Sequence, residues 1–127
     1  MLTIYKASAG SGKTFTLSVE YIQLLLKDPT CYRRILAVTF TNKATEEMKT
    51  RILKDLYDIG HVWEKEPDNQ GIRNLVSIME KDPKIGELGE KEIRHRARLA
   101  LQNILHDYSS FNISTIDKSV NPHCNNL

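Results

Sequence analysis

The sequence predicts an α/β fold in which a parallel sheet carries flanking helices. Residues 2–6 and 34–40 are short apolar runs rich in β-branched and aromatic side chains, as in buried parallel strands. An amphipathic helix lies between them, and a glycine-rich segment joins the first strand to that helix. Strand, helix and strand in this order predict a parallel pair with a right-handed crossover.

The glycine-rich segment has the residue types of a phosphate-binding loop. It consists of Ala7, Ser8, Ala9, Gly10, Ser11, Gly12, Lys13 and Thr14. A bound triphosphate requires converging backbone N–H donors, a point positive charge and an oxygen ligand for Mg²⁺. Gly10 and Gly12 allow such a nest of amides, Lys13 would reach the outer phosphates, and Thr14 would hold the metal.

The alternative for this segment is an ordinary glycine turn. The pattern G-x-x-x-x-G-K-[ST] has glycine where this chain has Ala7, which is the smallest possible departure. The order of strand, loop and helix favours the phosphate loop, because the positive end of the helix dipole then lies behind the anion.

Size and composition limit the remaining classes. The 127 residues fit one small domain or a fragment of a larger one, and a net charge of +2 is too small to indicate a nucleic-acid partner. Cys31 and Cys124 are far apart, so neither a disulfide framework nor a zinc site is predicted. We find no apolar run long enough for a membrane span and no signal peptide, and expect a cytoplasmic protein.

The helices follow from apolar periodicity. Residues 13–26 and 43–57 are predicted helices, the first ending at Asp28-Pro29 and the second near Gly60. Residues 61–89, rich in helix breakers, are predicted to be an insertion or linker with one short helix over 72–80. Each long helix has one apolar face, formed in turn by Phe15, Val19, Ile22 and Leu26, by Ala44, Met48, Ile52 and Leu56, and, over 90–108, by Ile93, Ala97, Leu101, Ile104 and Tyr108.

The last predicted helix also carries a basic stripe, and the chain ends in a strand and a tail. The stripe consists of Lys91, Arg94, His95 and Arg98. It could meet phosphates, but a solvated basic face is the commoner explanation. Residues 112–116 are a third predicted strand, and residues 119–127 have no period of either kind.

A second group of polar residues follows the strand over 34–40. Phe40 could stack on a base, while Thr41 and Asn42 could take backbone phosphates at the carboxyl edge of the sheet. The alternative is that Thr41 or Asn42 caps the next helix and Phe40 lies in the core. Judged from these residues alone, the alternative is favoured.

Three segments together resemble motifs I, Ia and Ib of superfamily 1 helicases of the UvrD/RecB kind: ASAGSGKTFTL, VTFTNKATEEMKTRI and ISTID. The spacing of about 70 residues between the last two is more similar to the RecB/AddA helicase-nuclease branch. The resemblance implies an incomplete first motor domain with a P-loop NTPase (RecA-like) sheet over residues 1–118, including the 61–89 insertion. It also implies ATP and Mg²⁺ at residues 7–14 and single-stranded DNA at Phe40, Thr41, Asn42 and Thr115.

The sequence also departs from the helicase pattern. The family uses an Asp-Glu pair to hold Mg²⁺ and orient water, whereas here Asp117, which the resemblance assigns to motif Ib, is followed by Lys118. The upstream adenine-reading glutamine, the arginine finger, the second motor domain and the nuclease are missing too. We therefore expect a truncated or frameshifted copy that binds ATP but has negligible hydrolysis and no helicase activity alone.

The parent activity implied by the resemblance is ATP-driven DNA unwinding in recombination or repair. The partners then expected are single-stranded DNA, other helicase or nuclease chains, or a second copy paired through an open sheet edge. The alternatives are a stand-alone nucleotide-binding or interaction module and an inert gene remnant, with a small-molecule kinase a weaker choice.

Overall fold

The structure is a computed structural model that describes residues 3–7, 11–39, 41–111 and 113–115. For residues 3–7, 11–14, 36 and 115 it describes the backbone alone. Helices make up most of this part of the chain, and they pack around a small parallel sheet. No helix within the described ranges is long and apolar enough to cross a membrane.

The sheet has three parallel strands in the order β1-β2-β3. These are β1 (Thr3–Ala7), β2 (Ile35–Thr39) and β3 (Ile113–Thr115). Ala7 is paired with Thr39, and Thr39 is in turn opposite Thr115. The predicted strands and their parallel pairing are confirmed, although residues 2, 40, 112 and 116, which the predicted strands included, lie outside the described residues. Parallel pairing places the carboxyl ends of all three strands at one edge.

Two helices follow the first two strands. Helix α1 (Ser11–Lys27) buries Val19, Ile22 and Leu26 as predicted, and helix α2 (Asn42–Tyr57) buries its four predicted apolar residues. The end of α1 at Asp28 is also confirmed. There Arg96 donates from Nη1 to the carbonyl oxygens of Leu26 at 3.0 Å and Lys27 at 3.2 Å, which satisfies two carbonyls of the last turn.

The prediction that a helix ends near Gly60 is wrong. Helix α2 continues through a π-helical segment, Asp58–Val62, into the short helix α3 (Trp63–Lys65). Gly60 is buried, and its carbonyl oxygen accepts a hydrogen bond from Arg98 Nε. A glycine fits here because another helix approaches closely, and not because the chain turns.

The 61–89 insertion is more ordered than its breakers suggest. It contains helix α4 (Gln70–Met79), which confirms the predicted short helix, and helix α5 (Pro83–Gly86). The side chains of Asn69 and Asp82 cap these helices by accepting from backbone N–H groups. The insertion adds six residues to the hydrophobic core: Trp63, Ile72, Leu75, Val76, Met79 and Ile85. It is therefore packed onto the rest of the chain.

The last helix, α6 (Glu90–His106), is shorter than the predicted 90–108. Four of its five predicted apolar residues are buried, but Tyr108 is 46% exposed. Asp107 has φ −140° and ψ 50°, which are not helical, so Tyr108 falls in a separate 3₁₀ turn, Tyr108–Ser110. The placement of Tyr108 on the apolar face is therefore wrong.

Two buried tyrosines differ in their hydrogen bonding. The Tyr32 hydroxyl lies 3.2 Å from the Asn103 carbonyl oxygen and 3.1 Å from Asp107 Oδ2, and accepts from Arg33 Nε. The Tyr21 hydroxyl has no hydrogen-bond partner in the described part of the chain, and burial raises its pKa far above the ordinary value. Tyr21 is held by its ring, which packs edge-on against Phe111 at a centroid distance of 5.6 Å.

We expect the same substitution to act differently at these two positions. Tyr32→Phe removes a hydroxyl group that makes hydrogen bonds, so it should lower the free energy of unfolding by about 1–2 kcal/mol. Tyr21→Phe removes a hydroxyl group without a partner in the described residues, so it should leave the free energy of unfolding unchanged or raise it. Urea denaturation of both variants checks this. A larger loss for Tyr21→Phe would contradict the assignment.

Candidate functional site

The predicted phosphate loop lies between β1 and α1. Strand β1 ends at Ala7 and α1 begins at Ser11, so Ser11, Gly12, Lys13 and Thr14 form the first turn of a 17-residue helix. Residues 8–10, and with them Ser8, Ala9 and Gly10, lie outside the described residues. The described backbone thus has a strand before the glycine-rich segment and a helix at its end, as the motif requires.

A network of threonine hydroxyls lies at the carboxyl end of β2. Thr41 Oγ1 accepts from the backbone N–H of Ala44 at 3.0 Å and caps α2. The buried Thr39 and Thr45 hydroxyls are 2.5 Å apart, and Thr39 Oγ1 also donates toward the Thr41 carbonyl oxygen. For Thr41, the capping alternative weighed from the sequence is therefore what the structure contains.

The other predicted DNA-contacting residues lie near the same edge. Asn42 is the first residue of α2 and is exposed, and the backbone of Thr115 lies opposite Thr39. Phe40 falls outside the described residues. Thus Thr41, Asn42 and the Thr115 backbone share the carboxyl edge of the sheet, next to the end of β1.

A cleft that the sequence did not predict separates α2 from α4. Its volume is about 480 Å³. Arg51, Lys54, Asp55 and Asp58 line one wall, and Gly71, Asn74, Leu75 and Ile78 line the other. Both sets have the spacing i, i+3, i+4, i+7, which is one face of a helix. We call this space the α2–α4 cleft.

Phe15 lines the same cleft. It follows Thr14 directly in α1, and the guanidinium carbon of Arg51 lies 5.4 Å from the centroid of its ring. Such a distance is within the range of a cation–π contact. One lining residue of the cleft, Phe15, thus directly follows the predicted phosphate loop in sequence. The polar residues at helical spacing on α2 could have indicated this cleft. The sequence analysis considered only the buried apolar face of that helix.

The two carboxylates of the α2–α4 cleft differ. Asp58 Oδ2 is 2.7 Å from Lys54 Nζ. Asp55 is half-buried and makes no hydrogen bond to the described residues; burial raises the pKa of its carboxyl, while Arg51 and Lys54 act in the opposite direction. Asp55 is thus a partly desolvated acceptor with unused capacity.

The basic stripe of α6 is partly neutralised. Arg98 is paired with Glu64, and the Arg94 guanidinium lies 5.2 Å from the Trp63 ring centroid and 3.9 Å from a Glu90 oxygen. These contacts favour the solvated-face explanation over a phosphate site. Within the described ranges, no three His, Cys, Asp or Glu residues lie close enough together to hold a metal ion.

Comparison with known proteins gives consistent matches. A family model described as the UvrD/REP helicase N-terminal domain matches residues 2–121. The RecBCD enzyme subunit RecB of Haemophilus influenzae is 34% identical over 116 residues, and the match covers 81% of this chain and 9% of that protein. An ATP-dependent helicase/nuclease subunit of Staphylococcus epidermidis is 41% identical over 68 residues, a match that covers 54% of this chain and 5% of that protein.

A similar match comes from Anoxybacillus flavithermus. The corresponding ATP-dependent helicase/nuclease subunit of this organism is 41% identical over 81 residues, and the match covers 62% of this chain and 6% of that protein. The chain thus spans less than a tenth of the length of these three relatives. No solved structure matches it.

Proposed function

The chain belongs to the UvrD/REP helicase N-terminal domain family, and on this premise we propose that it binds Mg-ATP at residues 7–14. The observation that carries the proposal is the start of α1 at Ser11, four residues after the end of β1. The first N–H groups of a helix have no partner within it, so they are available to a phosphate placed there.

Lys13 and Thr14 fit the chemistry of that anion. Both belong to the first turn of α1, where a lysine ammonium can reach the outer phosphates as a point charge. Mg²⁺ prefers oxygen ligands and commonly bridges a protein hydroxyl and the phosphates. Thr14 would supply that hydroxyl, and the metal would neutralise charge on the phosphate oxygens.

The α2–α4 cleft is the place we propose for the base of the nucleotide. Phe15 offers an aromatic face next to the phosphate loop, and the cleft volume of about 480 Å³ is in the range of small-ligand sites. Stacking on an aromatic ring suits any base, so Phe15 would contribute affinity irrespective of base identity.

Calorimetric titration tests the proposal. We expect saturable binding of Mg-ATP with one site per chain, and binding of AMP that is weaker by tenfold or more. AMP carries the same base and ribose but lacks the outer phosphates that Lys13 and Mg²⁺ would hold. If a folded chain binds neither nucleotide, or binds both equally, the phosphate-loop assignment is wrong.

The larger activity is also a proposal. We infer that the chain is an N-terminal part of an ATP-dependent DNA helicase acting in recombination or repair, with a P-loop (RecA-like) sheet over residues 1–118 and an insertion over 61–89. Support comes from the helicase and helicase/nuclease names of the relatives. Other helicase or nuclease chains would then be its partners.

The DNA-binding surface would be the carboxyl edge of the sheet. Phe40 would stack on a base, and Asn42 and Thr115 would contact the strand beside it, while the Thr41 hydroxyl is already used as a helix cap. The exposed start of α2 supports this placement, since a helix N-terminus favours a backbone phosphate.

We expect Phe40→Ala to weaken the binding of a fluorescent oligo-dT by roughly tenfold, the effect of losing one stacked base. Fluorescence anisotropy at a fixed salt concentration measures this. Tyr57→Ala is the matched control, because Tyr57 is an exposed aromatic residue at the opposite end of α2. Equal losses in the two variants would argue against a specific role for Phe40.

A further inference from the structure

We propose that the outer surface shared by α2 and α6 is a docking site for an acidic amphipathic helix of a partner protein. This surface, here called the α2–α6 face, consists of Leu53, Tyr57, Leu101, Leu105 and Tyr108. The inference goes beyond the proposed function, because neither the nucleotide at residues 7–14 nor DNA at the sheet edge would occupy this face.

Two contacts show that α6 lies antiparallel to α2. In the middle of α6, Arg98 donates from Nε to the carbonyl oxygen of Gly60, shortly after α2 ends. Just past the end of α6, the ring centroid of Tyr108 lies 5.6 Å from Nζ of Lys49. Residues 53 and 57 of α2 and residues 101 and 105 of α6 fall between these two contacts. Their spacing of four residues keeps each pair on one side of its helix.

Apolar exposure is concentrated on the α2–α6 face. Tyr57 is 52% exposed, Leu105 55% and Tyr108 46%, and they are three of the five large apolar or aromatic side chains exposed in the described ranges. Leu101 belongs to the hydrophobic core and Leu53 packs against it, so the exposed side chains continue an apolar surface that begins in the core. Clustered exposure of this kind marks an interaction site, whereas single exposed apolar residues do not.

The shape of the α2–α6 face fits a helix. Two adjacent antiparallel helices leave a groove along their line of contact, and an amphipathic helix can lay apolar residues at i, i+3, i+4 and i+7 into it. Exposed tyrosines on both sides of this groove are suitable anchors, because aromatic side chains often carry much of the binding energy of an interface.

The charges along the two helices favour an acidic partner. Residues 48–54 of α2 contain three cations and no carboxylate, and residues 93–106 of α6 contain three arginines and two histidines, again without Asp or Glu. Lys49 touches the α2–α6 face directly through the Tyr108 ring. A carboxylate beside that ring would pair with its ammonium. A second copy docked through the same face would instead bring like charges together, which opposes self-association.

The test uses a fluorescein-labelled peptide of about 18 residues, or five helical turns, with leucines at i, i+3, i+4 and i+7 and glutamates beside them. A second peptide has lysines in place of the glutamates. Fluorescence anisotropy is measured without nucleotide or DNA. We expect binding of the acidic peptide with a Kd on the order of micromolar, and binding of the basic peptide that is weaker by roughly tenfold or more.

Leu105→Glu should weaken binding of the acidic peptide by roughly tenfold or more, because it removes apolar contact and adds a like charge. Leu99→Glu is the matched control. Leu99 is also an exposed leucine of α6, but it lies on another side of that helix, so its substitution should change the affinity by less than about twofold. Lys49→Glu should weaken the acidic peptide and strengthen the basic one. Far-ultraviolet circular dichroism checks that all three variants are folded.

The other outcomes would overturn the proposal. No binding of the acidic peptide, or equal losses in Leu105→Glu and Leu99→Glu, would mean that the α2–α6 face is not the docking site. Equal binding of both peptides would exclude the acidic partner. Self-association of the wild-type chain that Leu105→Glu abolishes in sedimentation would assign the face to a second copy, and displacement of the peptide by oligo-dT would assign it to nucleic acid. Because no nucleotide is present, none of these results depends on ATP binding.

Discussion

Lys13→Ala is expected to lower the affinity for Mg-ATP by roughly a hundredfold, which is near the upper range for loss of a hydrogen bond to a charged group. The lysine would supply the point charge of the loop, and its removal leaves the outer phosphates with backbone donors and Mg²⁺ alone. The helix dipole contributes less at that distance than a full charge, so it cannot replace the ammonium. The effect should be confined to ligands with outer phosphates.

Calorimetry with the wild-type chain, Lys13→Ala and Lys81→Ala measures this loss. Lys81 is an exposed lysine just after α4 and serves as the control for the removal of one positive charge. Its substitution should change the affinity by less than twofold. Binding by Lys13→Ala at the wild-type level, with far-ultraviolet circular dichroism unchanged, would show that the loop does not hold the phosphates through Lys13.

Local patterns predicted the strands and long helices because their determinants lie close together in sequence. The apolar runs before Gly10 and Asn42 are short and rich in β-branched residues, and the helix faces repeat every 3.6 residues. The end of α1 was predictable for the same reason, since Asp28 precedes a proline. The same local patterns located the glycine-rich segment that follows β1 and includes the first turn of α1.

The wrong interpretation of Gly60 and the failure to predict the α2–α4 cleft both concern contacts distant in sequence. Gly60 looks like a helix end when only its neighbours are considered, but it is buried against Arg98, which is 38 residues away. The α2–α4 cleft depends on how the 61–89 insertion packs, and breakers such as Pro67 and Gly71 conceal that packing. Tertiary contacts of this kind override local propensity.

The roles of the site residues were less predictable than their positions. Thr41 is a helix cap, which the residues alone favoured, whereas the helicase resemblance implies DNA contact. Both can hold for neighbouring residues, because a cap fixes where α2 begins and thereby where Asn42 is presented. Phe15 was assigned to the apolar face of its helix and Asp55 was given no role, so neither was recognised as part of the lining of the α2–α4 cleft.

Gly60→Ala is expected to lower the free energy of unfolding by about 2 kcal/mol, although alanine normally stabilises a helix relative to glycine. A Cβ atom at residue 60 would lie 2.9 Å from Arg98 Cγ, 3.1 Å from its backbone nitrogen and 3.3 Å from its Cα. Two of these are backbone atoms of α6, so the clash cannot be relieved by a side-chain rotation. The π-helical segment and α6 must move apart, which also weakens the contacts of Arg98 with the Gly60 carbonyl oxygen and with Glu64.

Gly71→Ala supplies the matched comparison, because it is the same substitution in another helix. A Cβ atom there meets only Asn69 Oδ1 at 3.4 Å, an ordinary contact. We therefore expect no loss, or a gain of up to about 1 kcal/mol from helix propensity. Urea denaturation should shift the midpoint down for Gly60→Ala and leave it unchanged or raise it for Gly71→Ala. Equal shifts in the same direction would mean that propensity, and not the close approach of α6, determines why glycine occupies position 60.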